Sequence, residues 1–295
     1  MDCELEHFDI HVNGIRLHAV QTGPGNGPLV TLLHGFPEFW RGWLKQLIPL
    51  AEAGYRVLAP DQRGYNLSEK PSRVEQYRMD ALVGDVTGLL NALGREKTFL
   101  VGHDWGAAVA WETALCCPQR VEKLAILNVP HLDVMSRFLL RSPRQMLKSW
   151  YIFFFQIPRL PEWLLLSREC AGLRRMMRLS SKPGVFSEAD LDEYVRAWSQ
   201  PGALTAMIHW YRAAFRQGVR GPWNPVKIAP RRVRLPTLML WGKNDIALSH
   251  QMAQPSIDLC DQGELVFFEN ATHWVQHDEA EAVTAALLEF FAVKK

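Results

Sequence analysis

The stretch Thr98–Ala108 constrains the fold of this chain more than any other. An apolar run, Phe99-Leu100-Val101, leads into Gly102-His103-Asp104-Trp105-Gly106-Ala107 and then into a helix-like segment, Ala108–Cys117. A short apolar run closed by glycine reads as a buried parallel strand, and the whole as strand, sharp turn and helix. The small residues Gly102, Gly106 and Ala107 let strand and helix approach closely while the central side chain is held strained and exposed. This is the layout of a nucleophile elbow, usually written G-x-S-x-G, with Asp104 in place of the serine. A turn aspartate that merely caps the following helix would give the same local pattern, so the rest of the chain has to decide.

Aspartate at that point implies a different electrophile from the one a serine attacks. A serine that displaced a group from a saturated carbon would leave an ether, which water does not readily cleave. An aspartate leaves an ester, which activated water can hydrolyse.

Around the elbow the chain alternates strand and helix. His7–Val12 and Ile15–Thr22 alternate in polarity about Asn13-Gly14, a type I′ hairpin signal. Leu29–Leu33 reads as a third strand, Phe39–Ala53 as a helix, Tyr55–Ala59 as a strand, Met79–Leu93 as a helix closed by Gly94, and Val121–Val129 as a strand. Such a pattern predicts a mostly parallel sheet with helices on both faces. It breaks at Pro130. Residues 132–231 are helical, aromatic and punctuated by prolines, which predicts an inserted helical cap between core segments 1–131 and 232–295. The core pattern then resumes, with Leu238–Trp241 as a strand, Leu248–Cys260 as a helix, Leu265–Phe268 as a strand and Ala280–Ala292 as a final helix.

Composition excludes several classes of function. A net charge of +2 gives no footprint for nucleic acid. The five cysteines make neither metal spacing nor an even disulfide set; Cys116 and Cys117 read as core residues, and a reducing cytoplasm fits best. No signal peptide or transmembrane helix is legible, so no membrane partner and no anchor or extra domain is expected. Eleven Trp and 14 Phe point to a filled core or an aromatic-lined pocket.

An aspartate nucleophile needs a base for the second step and a group to orient that base. Asp245 follows one late strand and His273 the next. In a doubly wound sheet the carboxyl ends of the strands share one edge, so Asp104, Asp245 and His273 are expected to converge there. Backbone N–H groups of Trp105 and of Phe36, in the loop after the third strand, are expected to stabilise an oxyanion. Pro37 holds that second loop, with a cis bond as one option.

The chain resembles the epoxide hydrolases of the α/β-hydrolase superfamily. The matching pieces are His34-Gly35-Phe36-Pro37-Glu38-Phe39-Trp40, Asp61-x-Arg63-Gly64-Tyr65, Gly102-His103-Asp104-Trp105-Gly106, Gly242-x-x-Asp245 and His273-Trp274. They run through essentially the whole chain, in the nucleophile, acid, histidine order of that superfamily. One departure is Asn66, where many relatives have a second glycine; Asn tolerates the left-handed turn. The resemblance implies an α/β-hydrolase fold with an eight-stranded sheet, no cofactor and no metal, and a small apolar epoxide and water as reactants. Because the core motifs are shared with dehalogenases, the cap carries the discrimination. An epoxide oxygen leaves as an alkoxide and needs a proton, which a phenol with pKa about 10 can supply at neutral pH. The family uses two cap tyrosines for this, and Trp150-Tyr151 and Trp210-Tyr211-Arg212 look like those motifs. The side chains of Phe36, Pro37, Trp105 and Phe154 are expected to line the pocket. A dehalogenase, a non-catalytic ligand-binding relative and a homodimer contact through the cap all remain open at this point.

Overall fold

The computed structural model describes residues 4–220 and 230–292; Cys3 and the 221–229 end of the expected cap lie outside them. Eight strands form one sheet: β1 Glu6–Val12, β2 Ile15–Thr22, β3 Leu29–Leu33, β4 Arg56–Pro60, β5 Thr98–His103, β6 Val121–Leu127, β7 Val233–Gly242 and β8 Cys260–Phe268. Their spatial order is β1-β2-β4-β3-β5-β6-β7-β8. Only β2 runs antiparallel to its neighbours, β1 and β4; every other pair is parallel. The hairpin turns at Asn13 and Gly14, both at positive φ (49° and 76°), as a type I′ turn requires.

The apolar strands lie at the centre of the sheet. Every residue of β3 and β5 is buried, as parallel strands covered on both faces must be. After β3 the chain moves outward to β4 and then returns to β5 on the other side of β3. The loop after β3 and the turn after β5 therefore emerge side by side at the point where the winding reverses, the edge at which such sheets bind ligands.

Helices α1 Leu44–Glu52, α2 Met79–Ala92 and α3 Trp105–Cys116 connect the first six strands. Between β6 and β7 the described residues form helices: α4 Leu132–Arg141, α5 Pro143–Lys148, α6 Trp150–Phe154, α7 Leu160–Ser180, α8 Glu188–Trp198 and α9 Ala203–Arg220. The long α7 is broken at Ser167, after which Arg168, Glu169 and Cys170 take left-handed conformations. Three short contacts fix the inserted helices to the sheet edge. The Trp198 indole donates to the Pro37 carbonyl, the Trp210 indole to that of Arg63, and the Tyr194 hydroxyl to the Glu38 carboxylate.

Three expectations are corrected. The helix expected over Leu248–Cys260 is a single turn, His250–Met252, followed by the five-residue α10 Ala253–Ile257; Cys260 already pairs with Val233 and opens β8. β8 is the edge strand, so Asp261, Gln262, Gly263 and Glu264 stay exposed within it, and a search for apolar runs finds only its end. Cys116 is exposed rather than core, its thiol donating to Glu112. The chain ends in α11 Val275–Asp278 and α12 Ala280–Phe291. Among the described residues no helix is long and apolar enough to cross a membrane.

Candidate active site

Asp104 stands between the end of β5 and the first residue of α3, at φ 50° and ψ −122°, a conformation outside the ordinary allowed regions for a non-glycine residue. Its surroundings hold it there. The Phe36 N–H donates to Asp104 Oδ1 at 2.7 Å. A Cβ on Gly35 would come within 2.2 Å of the Asp104 Cβ, and one on Gly106 within 2.0 Å of the Leu33 carbonyl oxygen. Neither position admits a larger residue without displacing the elbow. Phe36-Pro37 is a cis peptide.

His273, between β8 and α11, reaches both carboxylates. Its Nδ1 donates to Asp245 Oδ2 at 2.7 Å, and its Nε2 lies 3.5 Å from Asp104 Oδ2. Asp245 Oδ1 accepts the N–H groups of Ala247 and Leu248 at 2.7 and 2.8 Å. The Asp245 side chain is fully buried, whereas 16% of the Asp104 side chain remains accessible, so only Asp104 can meet an incoming molecule. Burial works to lower the His273 pKa, but the Asp245 and Asp104 carboxylates outweigh it and raise it to about 10. Burial would raise Asp104 and Asp245, yet His273 holds both below the ordinary carboxylate range. The resting centre is thus an imidazolium between two carboxylates.

The inserted helices bring two tyrosines to this centre. Tyr151 (α6) and Tyr211 (α9) meet edge to face with centroids 5.8 Å apart, and Tyr211 lies 5.0 Å from the Trp105 ring and 5.4 Å from that of Phe36. Burial raises both phenol pKa values, and the Asp104 charge adds to the rise, so both hydroxyls keep their protons at neutral pH. Phe155 packs on Phe36, Tyr151 and Tyr211. Phe154, the residue expected to line the pocket, makes tilted ring contacts with Trp150 and Phe155. Among the described residues no group of three or more His, Cys, Asp or Glu could hold a metal ion.

The profile of the α/β-hydrolase fold family matches residues 28–280 of the chain. The AB hydrolase superfamily protein YfhM of Bacillus subtilis is 44% identical over 281 residues, covering 95% of this chain and 96% of the relative. Epoxide hydrolase 4 of Homo sapiens is 37% identical over 284 residues, covering 94% of this chain and 76% of its own length. The chain belongs to the epoxide hydrolases of the α/β-hydrolase superfamily. The crystal structure of a Bacillus megaterium epoxide hydrolase in complex with an inhibitor superposes with a TM-score of 0.87 at 28% identity, covering 96% of this chain and 99% of that one. The sheet described above is that of the α/β-hydrolase fold.

Sequence reasoning missed the groups that hold the candidate catalytic side chains of this family member from behind. Asn128, just past β6 and at φ 55°, donates to Asp245 Oδ2 at 2.9 Å and to the Thr272 carbonyl at 3.1 Å. Its Oδ1 accepts the Gly242 N–H. The Asn-Val-Pro that ends the β-α pattern was the one signal for it. His103 donates to the His273 carbonyl at 2.8 Å and accepts from Gln276 at 3.0 Å. Gln276 also donates to Glu38, a buried carboxylate that takes further bonds from Tyr194 and His277. Burial would raise the Glu38 pKa, but His277 and His103 drive it well below the ordinary range.

Proposed function

We propose that this chain is a cofactor-free epoxide hydrolase that converts an apolar epoxide to a vicinal diol through an aspartyl ester. The observation that carries the reading is the pair of protonated tyrosines, half-buried Tyr151 and buried Tyr211, meeting beside a nucleophile already engaged by its base. Asp104 opens the ring at carbon from one side while Tyr151 and Tyr211 hold the epoxide oxygen on the other, one of them surrendering its proton. The helices between β6 and β7 act as the cap, and Phe36, Pro37, Trp105 and Phe154 as apolar surroundings.

Charge bookkeeping closes without an outside acid. Ring opening turns Asp104 into a neutral ester and leaves a phenolate. The His273 imidazolium, now deprived of one carboxylate neighbour, returns a proton to that phenolate and becomes a neutral base. It then takes a proton from water as the water's oxygen attacks the ester carbonyl, with the N–H groups of Phe36 and Trp105 receiving the oxyanion. Collapse expels the diol and restores Asp104 as carboxylate and His273 as imidazolium.

The test offers styrene oxide to the wild type, to Tyr151→Phe/Tyr211→Phe and to His273→Gln. Diol from the wild type and its loss in the double variant are expected, with a covalent mass adduct accumulating in His273→Gln. Equal diol formation by the tyrosine variant sinks the acid assignment. Binding without turnover by a folded wild type favours a non-catalytic relative.

A further inference from the structure

Ten of the sixteen large apolar side chains exposed among the described residues fall between Leu140 and Leu166. Met146, Trp150 and Phe153 follow a spacing of four and three, which sets them along one face of the nearly continuous α5–α6 segment, with Ile157 just beyond its end. Leu147 is 73% exposed, Trp163 67%, Trp150 61% and Phe153 52%. Trp150 rests on Phe154, Phe153 on Phe215, and Arg212 binds the end of α6 and the start of α7 together through Phe155, Ile157 and Glu162. A concentration of exposed apolar side chains of this kind marks an interaction surface.

Its charge is as one-sided as its polarity. Residues 137–168 carry six Lys and Arg against Glu162 alone, in a chain whose net charge is +2, so the remainder is net negative. Glu162 is itself committed to Arg212. Arg137, Arg141, Arg144, Arg159 and Arg168 make no ion pair among the described residues, whereas Arg174, Arg178, Arg212, Arg216 and Arg232 each hold a carboxylate.

We propose that the face formed by α5, α6 and the start of α7 docks on the surface of an anionic lipid bilayer. Exposed tryptophan and leucine interspersed along the chain with arginine is the composition that enters the headgroup layer, with the apolar side chains in the acyl boundary and the guanidinium groups on lipid phosphates. A second copy of the chain fits less well. A two-fold contact would set this patch against itself and bring unpaired arginines face to face. Trp150 adjoins Tyr151, so docking would lay the cap's acid tyrosine close to the lipid. The docking does not depend on the reaction proposed above; it departs from the expectation of no membrane partner, and it concerns surface contact rather than a spanning helix, of which there is none among the described residues.

The experiment measures partitioning of the purified chain onto vesicles of phosphatidylcholine, with and without phosphatidylglycerol, by sedimentation and by tryptophan emission. Binding to the mixed vesicles with a blue shift is expected. Binding should be lost in Trp150→Glu/Trp163→Glu and be about 100-fold weaker in Arg141→Gln/Arg144→Gln/Arg159→Gln or in raised salt. Circular dichroism and turnover of a soluble epoxide check that each variant is folded. The proposal is overturned by no partitioning of the wild type, by equal partitioning of the tryptophan variant, by insensitivity to lipid charge, or by a dimer in sedimentation velocity that only the tryptophan substitutions dissociate.

Discussion

Asn128 grips Asp245 from one side and the Thr272 carbonyl from the other, so it spaces the acid from the loop that carries His273. Replacing it with alanine leaves the Gly242 N–H and one face of Asp245 unpaired in a buried place, which costs about 1–3 kcal/mol. Asn128→Ala should therefore melt several degrees lower, and it should slow hydrolysis of the ester more than its formation. Single-turnover kinetics separates the two steps; equal slowing of both would mean that Asn128 only supports the fold. Beyond the Asn-Val-Pro at the end of the β-α pattern, nothing in the sequence marked this residue, because one asparagine past a strand has no periodicity. Glu38 stands in one of the matching pieces, but its part was not legible, because its four partners come from three separate parts of the chain. Asp104, Asp245 and His273 were legible because each follows a strand that its own apolar run declares.

Two elements meet at the elbow with no spare room. Gly35→Ala would drive a methyl group into Asp104, and displacement of a nucleophile by about 1 Å costs on the order of 100-fold in rate. We expect Gly35→Ala to fold and to lose at least that factor in kcat; wild-type turnover would show that the loop yields instead. On the other side of the site, Arg212 donates to the carbonyls of Phe155 and Ile157 and pairs with Glu162, next to Tyr211 in α9. This fork fixes the distance between the helices that carry the two tyrosines. Lysine has one point charge and cannot reproduce it. Arg212→Lys should raise KM for epoxide with little change in overall melting; unchanged KM would remove Arg212 from the positioning of Tyr211. The strand-helix alternation of the core could be read directly from apolar periodicity. The edges were less legible, because β8 is polar along most of its length and α10 is too short to show a period.

Across the whole molecule, stability should follow the charge on His273. Its pKa is raised from 6.5 to about 10 in the folded chain. That contribution is complete below about pH 6.5 and is lost as pH rises through about 10. Thermal melts from pH 6 to 10.5 should decline in that window, and the decline should flatten in Asp245→Asn, where the main attracting carboxylate is gone. An identical pH profile in the variant would place the titration elsewhere. The overall layout, a sheet interrupted by helices, was legible from the point where strand-helix alternation stops at Pro130. How those helices seat on the sheet was not, since Trp198, Trp210 and Tyr194 look in the sequence like any other buried aromatics.

In the reaction proposed above, the proton donors stand on the helices between β6 and β7, while the nucleophile, its base and their supports belong to the sheet edge. The reaction is thereby split between two tool sets that can be re-machined separately. A library confined to residues 132–220 should change which substrates enter and how the oxygen is held, and still release whatever ester is formed at an unaltered rate. A library confined to the strand ends should do the reverse, trapping esters of an unchanged set of substrates.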